Sequence, residues 1–223
     1  MNLDKLTALA ARGRALVRAP QPHGDWYRID NATDRAEIFI YGPIDDWDGV
    51  SANDFVQNLR TVTAKSIDLH INSPGGLVFD GVAIYSALRN HAAKVTSYVD
   101  GIAASAASFV AMAGDEVVME KPAKMMIHDA GGLVLGNAAD MRQMADLLDE
   151  LSDTIAEIYT DRAGGSVAKW RDAMRAETWY SAADAVKAGL ADRVANDTQA
   201  APEDRRSQLI RARARTLGGG NNK

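Results

Sequence analysis

A stretch of small residues at positions 101–108 most constrains what this chain can fold into. It lies between two apolar runs, residues 95–99 and 109–113, and Asp100 with Gly101 is predicted to form the turn between them. A strand, a tight turn and a helix that begins with small residues can expose a serine hydroxyl, and the free N–H groups of the first helical turn favour developing negative charge. The pattern therefore predicts that Ser105 is the nucleophile of a serine peptidase.

Strand-like and helix-like segments alternate along the rest of the chain, which is typical of the α/β class. Ser51 and Ser166 are predicted to cap helices, and Ser181 with Asp184 resembles a capping box. A long helix is predicted from about 138 to 162, with an apolar stripe of Met141, Met144, Leu147, Leu148, Leu151, Ile155 and Ile158. The predicted strands are 26–29, 36–41, 67–71, 94–99, 116–119, 124–127 and about 190–194. The other predicted helices are 53–59, 78–88, from the serine turn to about 114, from Ser166 through 174, and from Ser181 to 189.

The two ends of the chain differ in character from its middle. Residues 1–24 are predicted to be an arm and a linker, because a thin helical stripe is followed by Pro20, Pro22 and Gly24. Residues 197–223 are arginine-rich, finish on a glycine run and are predicted to be a basic flexible tail. The peptidase domain is therefore expected at residues 25–196.

Composition narrows the function classes. The net charge of −5 gives no strong field for nucleic acid or an anionic membrane, and no apolar run is long enough to span a bilayer. The chain has 0 cysteines, which excludes disulfides and cysteine-based metal sites and fits a cytoplasmic protein. No Gly-x-x-x-x-Gly-Lys loop is present, so any use of ATP would belong to a partner, and no cofactor or metal is expected.

Serine acylation needs a general base, and the chain offers four histidines. His23 lies in the linker, His91 follows a helix, and His70 is inside a strand pattern. His128 instead ends a predicted strand, where α/β sheets usually carry active-site groups. We therefore predict that His128 is the base.

A second predicted turn could also contribute to catalysis. The sequence Asn-Ser-Pro-Gly-Gly at 72–76 breaks a strand sharply. Two glycines after a proline expose backbone N–H groups and let a substrate carbonyl come close. On its own this motif fits an ordinary strand-to-helix turn equally well.

Four motifs in order resemble the ClpP family of serine peptidases, over residues 36–194. These are Asn-Ser-Pro-Gly-Gly at 72–76, Ala-Ala-Ser at 103–105, Met-Ile-His-Asp at 126–129, and Trp-Tyr-Ser-Ala-Ala-Asp-Ala-Val-Lys-Ala-Gly-Leu-Ala-Asp at 179–192. Three details look closer to the ClpP-related head maturation (prohead) proteases of tailed phages: the opening at 26–38, Val-Phe-Asp-Gly-Val-Ala-Ile-Tyr at 78–85, and Ala-Ala-Ser-Ala-Ala-Ser at 103–108.

The resemblance implies a fold of repeated β-β-α units of the ClpP/crotonase type. It implies Ser105 as nucleophile, His128 as general base, and the backbone N–H groups of Gly76 and Ala106 as the oxyanion hole. The family usually has Asp where this chain has Glu177, so Glu177 is the expected third member of the triad. Two other carboxylates, Asp129 and Asp172, are held in reserve, and a serine–histidine dyad remains open. Ser108 is expected to pack or to bond locally to the backbone.

The resemblance also implies partners. In the family the segment after the histidine, here about 131–162, forms a handle that stacks two rings, so we expect a homo-oligomeric ring, single or stacked. The expected substrate is a polypeptide: a capsid or scaffold protein if the chain is a head maturation protease, acting without ATP. The alternatives are a degradative subunit that receives substrate from an AAA+ ATPase unfoldase, a crotonase-type acyl-CoA enzyme and a catalytically idle ring scaffold. A Ser–Lys peptidase is disfavoured, because His128 and its neighbouring residues resemble the ClpP family more.

Overall fold

The computed structural model describes residues 26–32, 34–45 and 51–196. In this part of the chain the strands are β1 (Tyr27–Asn31), β2 (Arg35–Tyr41), β3 (Ser66–Ser73), β4 (Lys94–Ala104), β5 (Glu116–Met119), β6 (Lys124–Ile127), β7 (Thr178–Ser181) and β8 (Arg193–Val194). The helices are α1 (Ala52–Leu59), α2 (Val78–Arg89), α3 (Ala106–Ala111), α4 (Ala138–Ala163), α5 (Val167–Arg175) and α6 (Ala182–Ala188). The α/β class is confirmed. The predicted arm and tail lie outside the described residues, and the proposed domain limits remain predictions.

The strands form one sheet in the order β1-β2-β3-β4-β5-β8. Neighbours from β2 to β8 are parallel, and β1 is antiparallel to β2. The long strand β4 divides between two partners, because residues 96–99 pair with β5 and residues 102–104 pair with β6. The strand β7 then adds to β6 in the antiparallel sense. The sheet therefore forks at β4, and the branch that carries β6 and β7 extends from the end of β4 that precedes Ser105.

Alternation along the central strands decides which side of the sheet is the core. In β3, Ile67, Leu69 and Ile71 are fully buried, whereas His70 on the other face is half-buried. The same period of two repeats in β2 and β4, as expected for strands with one face against helices. The core therefore lies between the sheet and the helices.

The helix ends follow the sequence closely. Ser51 accepts a hydrogen bond from the N–H of Asp54, and the Asp54 carboxylate accepts one from the N–H of Ser51, which completes a capping box. The serine contacts lower the pKa of the Asp54 carboxyl. Ser166 and Ser181 accept capping hydrogen bonds from N–H groups three residues later, so these predictions of helix starts are confirmed. No helix among the described residues has the length and apolarity of a membrane span.

Candidate active site

The turn that presents Ser105 lies further along the chain than the sequence predicts. Asp100 and Gly101 are not a turn but part of β4, which continues to Ala104. The strand continues because its second half pairs with β6. On the outer face of the sheet, the Tyr41 hydroxyl donates a hydrogen bond of 2.6 Å to the carboxylate of Asp100. The reversal occurs at Ser105 itself, whose φ of 52° and ψ of −125° are unusual for a residue with a side chain.

His128 reaches the serine from the end of β6. Ala104 of β4 and Met126 of β6 are paired in a parallel register, so the two chains leave the sheet side by side. The N–H of Ser105 also donates to the carbonyl of Met126 at 3.0 Å. As a result, Nε2 of His128 lies 2.7 Å from Oγ of Ser105, within the range of a serine–base hydrogen bond.

The Pro-Gly-Gly turn packs directly behind the serine. A Cβ on Gly75 would lie 2.7 Å from the amide nitrogen of Ala106 and 2.6 Å from the carbonyl oxygen of Ala104, so only glycine fits there. The neighbouring Gly76 is bracketed by Ile44, whose carbonyl accepts from the N–H of Leu77 at 2.8 Å. Within the described segments, the N–H groups of Gly76 and Ala106 have no hydrogen-bond acceptor, and both residues line the cleft beside Ser105.

The predicted third residue, Glu177, does not contact His128. It is exposed, has a φ of 47°, and its carboxylate lies 3.4 Å from the indole nitrogen of Trp179. Thr178, the next residue, forms the last pair of β6 and β7 with Ile127, so Glu177 and His128 each lie one residue beyond that pair. Among the described residues, Ser105 is the hydrogen-bond partner of the His128 ring.

The two reserve carboxylates are bound elsewhere. Asp172 is exposed and pairs with Arg175 at 3.2 Å. Asp129 lies 3.4 Å from the buried guanidinium of Arg171. That same guanidinium also binds two carboxylates of α4, Asp149 at 2.8 Å and Asp153 at 3.3 Å. Asp129 therefore anchors the segment after His128 to α4 and α5, rather than orienting the imidazole.

The cleft in front of Ser105 and His128 is small, about 140 Å³, and its walls are mainly apolar. Ser105, His128, Gly76 and Ala106 also line it. Such a cavity can enclose one side chain beside a polar reacting centre. The walls are formed by Val78, Phe109, Ala130, Ile155 and Tyr159.

Tyr159 of α4 is a cleft residue that the sequence analysis missed. Its hydroxyl lies 2.7 Å from Oγ of Ser108, and burial raises the pKa of the Tyr159 phenol. The prediction for Ser108 is confirmed, because its hydroxyl bonds to the carbonyl of Ser105 at 2.5 Å. One sequence signal could have revealed Tyr159: it follows Ile158, the last residue of the predicted apolar stripe, and so brings a hydroxyl group to the edge of an apolar helix face.

The other described histidines serve the structure. His91 accepts from the N–H of Ala93 at 3.1 Å. His70 is stacked between Phe39 and Tyr98 on the outer face of the sheet, with ring centroids 4.9 and 5.1 Å apart. His23 lies outside the described residues.

One group of side chains on the outer face could in principle bind a metal ion. Donor atoms of Glu37, Asp68 and His70 lie within 4.8 Å of one another. Asp68 is already ion-paired with Arg35, and Nδ1 of His70 lies 2.9 Å from a carboxylate oxygen of Asp100. Two of the three candidate ligands, Asp68 and His70, therefore already have protein partners.

Comparisons with known proteins identify the family of the chain. The Clp protease family model matches residues 23–198. An ATP-dependent Clp protease proteolytic subunit of Chlorella vulgaris is 28% identical, with coverage of 80% of this chain and 91% of its own length. ATP-dependent Clp protease proteolytic subunit 1 of Protochlamydia amoebophila (strain UWE25) is 31% identical over 76% of this chain and 85% of its own length.

A third relative, ATP-dependent Clp protease proteolytic subunit 1 of Prochlorococcus marinus (strain NATL2A), is 31% identical over 66% of this chain and 78% of its own length. The matched region contains every candidate residue of the site, from Gly76 to Glu177. The family match favours the peptidase over the acyl-CoA enzyme among the sequence-based alternatives. The chain therefore belongs to the Clp protease family and is a serine-type peptidase.

Proposed function

We propose that this chain is a serine endopeptidase in which Ser105 is the nucleophile and His128 the general base. The observation that carries the proposal is the 2.7 Å contact between Ser105 Oγ and His128 Nε2. It occurs beside two N–H groups, of Gly76 and Ala106, without an acceptor in the described residues. A nucleophile, a base and two donors at one cleft are the parts that acyl transfer requires.

The chemistry follows from these positions. His128 Nε2 removes the proton of the Ser105 hydroxyl as Oγ attacks the scissile carbonyl carbon, and the carbonyl oxygen becomes an oxyanion. The N–H groups of Gly76 and Ala106 donate to this oxyanion. His128 then gives the proton to the leaving amine, and water, activated by the same imidazole, hydrolyses the acyl-serine ester.

We include Glu177 as the third catalytic group. The support is the last pair of β6 and β7, Ile127 with Thr178, which puts His128 and Glu177 one residue beyond the same end of the ladder. For this role the Glu177 carboxylate must give up its 3.4 Å contact with Trp179 and bind Nδ1 of His128. A carboxylate there stabilises the imidazolium and fixes the ring tautomer.

A fluorophosphonate probe tests the site directly, because it reacts with serines that a base and an oxyanion hole activate. We expect one adduct on Ser105 by peptide mapping, and none in Ser105→Ala or His128→Ala. Ser86→Ala, which changes an exposed serine of α2, is the matched control and should label normally. An unlabelled but folded wild-type protein would overturn the assignment.

We also propose that the protein works as a closed homo-oligomer whose interface includes the start of α4. Large apolar side chains are exposed in the segment before α4 and along the first half of the helix: Leu133 at 83%, Leu135 at 69%, Met141 at 50% and Leu147 at 38%. Contiguous exposed apolar residues mark association surfaces. Sedimentation velocity should show a complex of many subunits, and Leu133→Ser with Leu135→Ser should dissociate it; Phe79→Ser, at an exposed apolar residue of α2, is the control.

For the biological role we propose a ClpP-type proteolytic subunit that works in the cytoplasm with an AAA+ unfoldase. The names of the relatives, ATP-dependent Clp protease proteolytic subunits, support this role. The second candidate is ATP-independent processing of capsid or scaffold protein in phage head maturation, which the motifs at 26–38, 78–85 and 103–108 favour. Cleavage of a folded, tagged substrate only with unfoldase and ATP would support the first role, and limited cleavage of a scaffold protein without ATP the second.

A further inference from the structure

Two buried hydroxyl groups lie beneath the serine turn. Ser108 of α3 is 0% exposed and Tyr159 of α4 is 1% exposed. The Tyr159 hydroxyl lies 2.7 Å from Oγ of Ser108, and Oγ of Ser108 lies 2.5 Å from the carbonyl oxygen of Ser105. The three groups form a continuous path from α4 to the backbone of the candidate nucleophile.

The direction of each hydrogen bond in this path is fixed by proton count. The Ser105 carbonyl can only accept, so the single hydroxyl proton of Ser108 must be donated to it. Ser108 has no second hydroxyl proton, and therefore Tyr159 must be the donor to Ser108. Burial raises the pKa of the Tyr159 phenol, so this group keeps the proton that it donates. The path runs from Tyr159 to Ser108 to the Ser105 carbonyl.

This path sets the orientation of one peptide group. The Ser105 carbonyl also accepts from the N–H of Ser108 at 2.9 Å, so two donors hold it on the side of α3. In a trans peptide the carbonyl and the following N–H point in opposite directions. With the Ser105 carbonyl held toward Ser108, the N–H of Ala106 is directed to the opposite side of the peptide, and Ala106 lines the cleft.

The backbone of Ser105 needs such a restraint. At a φ of 52°, a residue with a side chain is most populated near ψ of +30° to +60°, the left-handed region. Its ψ of −125° differs from roughly +55° by about 180°, which is the rotation that flips the Ser105–Ala106 peptide. A flipped peptide would direct the carbonyl, rather than the N–H of Ala106, into the cleft.

We propose that Ser108 and Tyr159 are positioning residues, whose hydroxyl groups hold the Ser105–Ala106 peptide so that the Ala106 N–H can donate to the oxyanion. This inference rests on the proposed function. Neither hydroxyl touches the substrate carbonyl; each acts through the peptide. The consequence is that chemistry at Ser105 depends on a phenol supplied by α4, 51 positions away from Ser108.

Kinetics on a short fluorogenic peptide amide, with an apolar residue before the scissile bond, test the inference. Ser108→Thr and Ser108→Val have nearly the same volume and differ in the hydroxyl, so they are a matched pair. Loss of one oxyanion donor lowers kcat by about 10²- to 10³-fold, and we expect Ser108→Val to approach this loss while Ser108→Thr retains most activity. Tyr159→Phe, which only removes the phenol hydroxyl, should lower kcat about 10-fold.

Further readouts separate positioning from a general structural role. KM and the apparent pKa of the acid limb of kcat should match the wild type, because the His128–Ser105 pair is intact. Tyr159→Phe combined with Ser108→Ala should be no slower than Ser108→Ala alone, because Tyr159 acts through Ser108. Circular dichroism should show each variant folded, and if Ser108→Val does not fold, Tyr159→Phe decides.

Equal kcat for the threonine and valine variants, wild-type kcat in Tyr159→Phe, or additive losses in the double variant would each overturn the inference. The proposed function fails differently. In that case the fluorophosphonate would leave Ser105 of the wild-type protein unlabelled, whatever the state of Tyr159.

Discussion

Ser105 and Glu177 are both non-glycine residues with positive φ, at 52° and 47°, but their surroundings differ. The backbone of Ser105 is held on both sides: its N–H donates to Met126, and its carbonyl accepts two hydrogen bonds from Ser108. Glu177 lies in an exposed turn between α5 and β7, where its N–H donates to Met174 at 2.9 Å. Among the residues that the structure describes, its carboxylate makes one long contact, to Trp179.

The comparison teaches which part of the candidate site is preorganised. Backbone strain persists only where several contacts determine the conformation together. Ser105 meets that condition, so the serine, its base and the nearby N–H groups form a rigid unit. Glu177 does not meet it, and its carboxylate is the adjustable component. The fold therefore fixes Ser105 and His128 beside each other, whereas the exposed Glu177 carboxylate is held, within the described part of the chain, by a single long contact.

The largest expected difference between these regions is in catalysis. His128→Ala should lower kcat on the order of 10⁶-fold. The fold-loss of kcat in Glu177→Ala should be about 10²-fold smaller, as when the acid of a triad is removed instead of the base. Glu177→Asp should be mild, because it keeps the carboxylate. Peptide hydrolysis measures all three, and full activity in folded Glu177→Ala would move the third role to another residue.

The contact between the Pro-Gly-Gly turn and the serine turn should be the most sensitive to added volume. Gly75→Ala brings a Cβ within 2.7 Å of backbone atoms at a φ of +93°, and we expect a loss of about 3 kcal/mol in the free energy of unfolding. Gly131→Ala is the control, since a Cβ there meets nothing within 4 Å. Urea denaturation checks both, and similar stability of the two variants would show that the turns are not in rigid contact.

Backbone strain at the two residues can be compared without regard to activity. Glycine tolerates positive φ, so Ser105→Gly should be more stable than Ser105→Ala by about 2 kcal/mol, and Glu177→Gly more stable than Glu177→Ala by about 1 kcal/mol. The larger value at Ser105 reflects its ψ of −125°, outside the left-handed region. Urea midpoints of the four variants measure both differences, and a larger value at Glu177 would reverse the comparison.

The smallest effect should be seen at alkaline pH. The folded protein holds Tyr159 protonated with a raised pKa, whereas the unfolded chain ionises it near its ordinary pKa of about 10. The unfolded state therefore binds fewer protons above that pH, and stability present below pH 10 falls as the pH rises, by less than about 1 kcal/mol at pH 10.5. Tyr159→Phe should remove this part of the decline, and an identical decline in both proteins would contradict the raised pKa.

Local rules predicted much of the fold. Ser51, Ser166 and Ser181 could be identified as N-caps, because each precedes a helical apolar pattern and a serine hydroxyl can accept from a free N–H of the first turn. The strand end at His128 was identifiable for a similar reason. The turn at Asp100 and Gly101 was predicted wrongly, because residues 102–104 pair with residues 124–126 of β6, and this distant pairing keeps β4 extended through positions 100 and 101. The strand β7 was missed, since its pairing with β6 is also distant in sequence.

The candidate site was predictable only where a motif marks it. Ser105, His128 and the glycine turn carry such motifs, and the structure brings them together at one cleft. Tyr159 carries none, because it belongs to an apolar helix face and acquires its role from a three-dimensional contact. The position of the Glu177 carboxylate also depends on contacts that sequence spacing does not express.

The fork in the sheet has a consequence for the order of events during synthesis. A chain that has emerged only as far as β5 lacks β6, the strand that pairs with residues 102–104 of β4, and with it His128. The phenol under the serine turn arrives later, at position 159, and Glu177 later still. With the proposed roles of Ser105 and His128, a growing chain therefore lacks the base that its nucleophile needs until β6 and residue 128 have been made.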